Sequence, residues 1–269
     1  MAAATLVLAV VSASALPGAP GGAVQEVTAD LIPAVPPERV SPRNLERITR
    51  RYLGTRYLRD ALGEQQGPDP DPVFRRDGVD CQTFVEQTLA EALATTPAEV
   101  RCTLIRLRYH GGKVRLDRRF HYCLPEWLDN PWPVRDMTRA IAGRRVQQLR
   151  VTIQRERFLR RRGCSPEVAR QYPPLSVRTH YIPSTSVPWL QRRLPDGGIA
   201  VFILRVPKAF GMAGHMGWLF RRGNHVILRH ASQRQGRVVD ESLLGFLRRG
   251  QHRFRGLVVL QPDVARWRG

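Results

Sequence analysis

Residues 214–232 read GHMGWLFRRGNHVILRHAS, two apolar runs around Gly223-Asn224. Glycine and asparagine tolerate the positive φ of a tight hairpin turn, so the runs read as antiparallel strands. With the turn centred there, Gly217 opposes His230 and His215 opposes Ser232. Side chains alternate along a strand, so His215 and His230 leave the same face as diagonal neighbours, about 7–8 Å apart at Cβ. A slip of one residue would send the two imidazoles to opposite faces. Gly217 removes the side chain that would stand beside them. His225 falls at the turn, on the other face from His230, and reads as a solvated loop histidine.

Outward from the hairpin the last third is strand-rich. The run IAVFILRV (199–206) follows a turn at Asp196-Gly197-Gly198 and reads as a buried strand. GRVVD is a short strand, ESLLGFLRR a closing helix, and FRGLVVLQP a final strand. Upstream, Ser41-Pro42 opens a first helix that Gly54 stops. Residues 100–123 read as short extended segments with a Gly111-Gly112 turn, and 136–162 carry mixed signals. Helices first, then an antiparallel meander, predict an α+β domain.

The stretch GVDCQTFVEQTLAEAL (78–93) sets Phe84, Val85, Leu89, Ala92 and Leu93 at helical spacing. Asp80 is a good N-cap, which places Cys81 in the first helical turn. There the helix dipole and unpaired amides favour a thiolate. The other reading is a small buried hydrophobe, the common fate of a free cysteine. If this helix packs on the face carrying the two histidines, a thiol, a base and an orienting group share one pocket.

The chain opens with an apolar run followed by Ala13-Ser14-Ala15, a small-residue cleavage pattern. Residues 1–15 therefore read as a signal peptide and 16–43 as a Pro/Gly-rich linker, leaving 44–269 as one catalytic domain. The run is too short to span a membrane. The reading is an exported protein, periplasmic or extracellular. The net charge of +20 is almost wholly arginine, with Lys113 and Lys208 the only lysines. The arginines are scattered, without the interleaved aromatics of a nucleic-acid platform, so no nucleic-acid partner is expected. An affinity for anionic polymer outside the cytoplasm is the functional version of that charge. Cys102, Cys123 and Cys164 leave room for one disulfide besides a free Cys81, and spacing does not choose the pair.

The motifs together resemble the exported NlpC-type cysteine peptidases and amidases of bacterial cell-wall metabolism, and among these the N-acetylmuramoyl-L-alanine amidase-like family. The carrying segments are YLGTRY (52–57), Cys81 with Thr83-Phe84-Val85-Glu86, RRFHYCLPEWLDN (118–130), YIP (181–183), DGG (196–198), His215-Met216-Gly217 and His230-Ala231-Ser232. The resemblance implies a papain-like NlpC-type α+β fold, its N-terminal nucleophile helix packed on a small antiparallel sheet. It implies Cys81 as nucleophile, His215 as general base and His230 as the group orienting it. Tyr57 is either an oxyanion donor or an aromatic packed under the helix, and Asp80 either binds a substrate amine or only caps. Glu86 reads as structural. Arg119, His121 and Trp127 are candidate wall-fragment contacts. The implied reaction cleaves the amide between N-acetylmuramic acid and L-alanine of peptidoglycan or muropeptide fragments, by a monomer with no cofactor and no metal. A zinc site of Cys81, His215 and His230 is the weaker reading by ligand type. The competing functions are a stem-peptide endopeptidase and a non-catalytic arginine-rich wall-binding protein. Arg56 replaces the family's proline, Gly198 its second turn aspartate, and RRFH its arginine-asparagine-histidine run, the last bearing on substrate binding.

Overall fold

The computed structural model describes residues 35–59, 61, 73–208 and 211–267. The signal peptide reading and most of the linker lie outside these residues. They contain nine α-helices: α1 (Pro42–Arg50), α2 (Cys81–Leu93), α3 (Glu99–Arg108), α4 (Cys123–Asp129), α5 (Thr138–Ala142), α6 (Arg155–Arg161), α7 (Pro166–Ala169), α8 (Val187–Leu190) and α9 (Leu243–Arg249). They also contain ten strands: β1 (Arg56–Tyr57), β2 (Gly78–Val79), β3 (Val134–Asp136), β4 (Gln147–Ile153), β5 (Leu175–Pro183), β6 (Gly198–Lys208), β7 (Gly211–Arg222), β8 (His225–Ser232), β9 (Arg237–Ser242) and β10 (Phe254–Pro262).

The expected papain-like NlpC-type fold, with an N-terminal nucleophile helix on a small antiparallel sheet, is corrected here. All ten strands join one mixed sheet in the order β2-β1-β9-β8-β7-β6-β10-β5-β4, with β3 added on β10. β1 and β2 run parallel, whereas β10 lies antiparallel to β6, β5 and β3. The cysteine helix is also not the first element, since α1 precedes it. The sheet outgrew the expectation because its added strands are poor in apolar signal. β1 and β2 have two residues each, and β4 alternates exposed and half-buried positions along an arginine-bearing stretch. Such strands are held by ladder hydrogen bonds to neighbours distant in sequence, which periodicity does not register.

Residues 99–108, expected to be extended, form α3. Thr103, Leu104, Leu107 and Arg108 recur at helical spacing and are buried where α3 packs on α2. Several other local readings hold. Ser41 caps α1 by accepting from the Asn44 amide, and Gly54 follows at φ 85°. β7 and β8 pair Trp218 with Arg229, Leu219 with Leu228 and Arg222 with His225, the register of a turn at Gly223-Asn224.

β6 explains why its sequence runs apolar without alternation. Ile199, Val201 and Ile203 join a core beneath α1, α2 and α3, while Ala200, Phe202 and Leu204 join a second core beneath α5 and α9. A strand buried on both faces needs apolar residues at every position. Across the sheet, Trp218 on β7 donates its indole N–H to Thr88 Oγ1 of α2 at 2.9 Å, with both groups buried. Arg229 of β8 holds Asp240 of β9 with a two-pronged contact, 2.7 Å on each arm, and donates to Thr49 Oγ1 of α1 at 3.0 Å. These bonds fix α1 and α2 on one face and set the start of α2 beside β7.

Candidate active site

Cys81 is the first residue of α2 because Asp80 caps the helix reciprocally. Asp80 Oδ1 accepts from the Thr83 amide at 2.7 Å, and Thr83 Oγ1 accepts from the Asp80 amide at 2.9 Å. The cap thus accounts for Asp80 without a substrate amine. The surroundings of Cys81 oppose the thiolate expected at a helix terminus. Burial, and after it the Asp80 carboxylate, push the Cys81 thiol up to about 12, against weaker help from the backbone amides of Met216, Cys81 and Gln82. Lost solvation and an adjacent anion outweigh the half-charge of a helix end.

The two histidines meet directly. His215 Nε2 lies 2.6 Å from His230 Nδ1, with the rings perpendicular and their centroids 4.7 Å apart. His230 Nε2 lies 2.7 Å from Glu241 Oε1 of β9, and Arg249 of α9 pairs with the same carboxylate. Adding a Cβ to Gly217 would bring it 2.7 Å from the Cβ of His230, so glycine there gives the ring its room. Burial lowers both imidazoles, His215 well below its ordinary range and His230 to about 4. Both rings are therefore neutral near pH 7, and the hydrogen bonds fix their tautomers. A carboxylate only accepts, so His230 donates from Nε2 and accepts at Nδ1. His215 then donates from Nε2, which leaves the Nδ1 lone pair as its base.

Glu241 was not legible as a site residue. The sequence reading ends the strand at Asp240 and begins the helix with Glu241, whereas β9 runs on to Ser242. His230 pairs with Val239, which puts Glu241 two positions along the same face. Carrying the hairpin register through the next turn would have found it.

The rings contact Phe202 and Phe246, on the α9 side of the sheet, and not the face that carries the body of α2. At the end of α2, Cys81 and His215 instead line the same two adjoining cavities. The first, of about 170 Å³, also takes in Gln82, His121, Cys123 and Leu124. The second, of about 260 Å³, takes in Tyr57, His230, Glu241, Arg234, Arg249 and Arg253. Tyr57 thus stands on a wall shared with Cys81 and His215. His121 borders the first cavity, donates from Nε2 to the Leu116 carbonyl at 2.7 Å, and is held neutral by burial at about 3.

Arg119 and Trp127, read from the sequence as candidate wall-fragment contacts, are core residues. Trp127 is fully buried and stacks on Trp132 with centroids 3.7 Å apart. Arg119 is 2% exposed, with a guanidinium nitrogen 3.5 Å from Glu86 Oε2. The cysteines are all free thiols. Cys123 borders the first cavity as a thiol that burial keeps protonated. Among the described residues no group of three or more His, Cys, Asp or Glu side chains is arranged to hold a metal ion. The facing nitrogens of His215 and His230 are engaged with each other.

Residues 47–254 match the family model described as AmiA-like, N-acetylmuramoyl-L-alanine amidase-like. Among solved structures, an N-acetylmuramoyl-L-alanine amidase from Bacteroides uniformis is 26% identical, with 82% of this chain and 98% of that one covered at a TM-score of 0.67. A Legionella pneumophila protein, 20% identical, shares the fold at a TM-score of 0.74 over 82% of this chain and 89% of its own. A structure described as a putative xylanase from Bacteroides fragilis, 24% identical, shares it at 0.63 over 80% and 99%. Among curated proteins no match is found.

Proposed function

The chain belongs to the AmiA-like, N-acetylmuramoyl-L-alanine amidase-like family of cell-wall hydrolases, and on that footing we propose that it cleaves the amide between N-acetylmuramic acid and L-alanine by acyl transfer through Cys81. The observation that carries the mechanism is the relay Glu241–His230–His215, which ends at cavities shared with Cys81. His215 takes the thiol proton as sulfur adds to the lactyl carbonyl, since the thiol at about 12 does not ionise by itself. The oxyanion formed lies by the Cys81 backbone N–H, with Tyr57 as a candidate second donor. Collapse of the adduct breaks the C–N bond, and the proton on His215 goes to the departing alanine nitrogen. Water, deprotonated by His215, then adds to the thioester and releases the muramic acid and the thiol. His230 holds the His215 tautomer, and Glu241 holds that of His230.

The apolar leader with Ala13-Ser14-Ala15 supports action outside the cytoplasm, on peptidoglycan or fragments released from it. Among the described residues no helix is long and apolar enough to cross a membrane.

Incubation with a defined disaccharide muropeptide, with products weighed by mass spectrometry, tests the bond. The expected products are a free stem peptide with an L-alanine amino terminus and the peptide-free disaccharide. Alanine retained on the sugar would assign the enzyme to stem-peptide hydrolysis instead. A second expectation concerns the relay. Glu241→Gln keeps the shape but lets an amide face His230, so the neutral tautomers are no longer imposed. kcat should fall about 10–100-fold, the usual cost of losing an outer-shell orienting partner, with KM and the melting midpoint little changed. Undiminished kcat would remove Glu241 from the mechanism.

A further inference from the structure

Two cavities meet at Cys81 and His215, and their walls differ in charge. Among its described lining residues, the smaller carries no Asp, Glu, Lys or Arg, and its His121 is neutral. The larger carries Arg234, Arg249 and Arg253 against one carboxylate, Glu241. That carboxylate is already committed to Arg249 and His230. Arg253 donates from Nη2 to the Gly214 carbonyl at 3.0 Å, which holds its guanidinium beside the residue preceding His215. Arg234 stands exposed in the β8–β9 turn. After burial, and His230 at His215, Arg253 also disfavours protonation of His215, and Arg249 and Arg234, opposed by Asp240, that of His230.

Arginine side chains line only the larger cavity, whereas Arg119, Arg155 and Arg162 act on His121 and Tyr122 of the smaller one without lining it. Guanidinium is the side chain whose planar donor fork matches a carboxylate. A scissile amide joining glycan to peptide has one uncharged arm and one arm bearing carboxylates, which is the asymmetry of the two cavities. We infer that the larger cavity is a carboxylate-recognising subsite, in which Arg234 and Arg253 seat the peptide arm of the substrate while the uncharged arm lies in the smaller cavity. This rests on the amidase reading above and adds to it the orientation of the substrate and the groups that select it. A carboxylate seated there also cancels part of the field opposing a proton on His215, so binding the peptide arm strengthens the base.

The test compares N-acetylmuramoyl-L-alanyl-D-glutamate with the same compound carrying both carboxylates as amides. Two charge-assisted contacts predict that the wild type favours the dicarboxylate by about 10–100-fold in kcat/KM. In Arg234→Gln/Arg253→Gln the ratio should collapse to about one. The ratio is taken within each protein, so a partial loss of folded enzyme does not move it. Equal cleavage of both compounds by the wild type, or a preference that survives in the double variant, overturns the subsite alone. Cleavage of neither compound overturns the amidase reading and the subsite with it.

Discussion

Cys81→Ala is expected to abolish hydrolysis while leaving the fold intact. The side chain stands at the mouth of α2, half-buried and outside the interdigitated core, so its loss leaves the capping box of Asp80 and Thr83 and the Trp218–Thr88 bond in place. The expected loss in kcat is on the order of 10⁴–10⁶-fold, the range seen when a nucleophile acting in concert with its base is deleted. His215→Ala should cost a similar factor, since a thiol held at about 12 needs that base. The double variant should be no worse than either single one, because the two groups act as one unit. Product release from a defined muropeptide, with circular dichroism as the check on folding, gives the answer. Full activity in Cys81→Ala would remove Cys81 as the nucleophile, whereas no hydrolysis by either protein would favour the wall-binding reading.

Glu86→Ala should give the largest loss of stability. Glu86 is fully buried and takes Arg108 Nε on Oε2 at 2.7 Å and Gln82 Nε2 on Oε1 at 2.8 Å. Arg108, 1% exposed, also donates to the Val73 carbonyl at 2.6 Å, and Arg119 approaches the same carboxylate. Removing the carboxylate takes the anion that Arg108 and Arg119 share out of the core, at a cost of about 3–5 kcal/mol. For a domain of this size that lowers the melting midpoint by about 6–20 °C. Denaturant melts of the purified variant provide the measurement, and a loss below about 1 kcal/mol would show the cluster to be dispensable. Gln82 also reaches the Phe120 carbonyl and borders the smaller cavity, so the cluster sets one wall of the site. This accounts for the segment Arg118–Asn130, which looked from its residue types like a ligand surface. Its arginine neutralises a buried acid and its tryptophan packs on another.

The local frame of Cys81, His215 and His230 was legible because each signal is short in range. A capping aspartate, an amphipathic period and a glycine-asparagine turn act within a few residues, and the turn alone predicts the register that puts His215 and His230 together. Glu241 was one turn further along the same ladder and was lost at an element boundary. The proton state of Cys81 was not legible. Position at a helix end is a local property, whereas the burial that overrides it comes from β7 and its neighbours. The extent of the sheet, the cavities that Cys81 shares with His215, and the burial of Arg119 and Trp127 likewise arise from contacts between segments far apart in the chain. The chain by itself determined how Cys81, His215 and His230 are each presented on their own elements. Only the tertiary structure decided which of them share a cavity and which lie in the core, because desolvation and charge pairing depend on every segment that closes over a side chain.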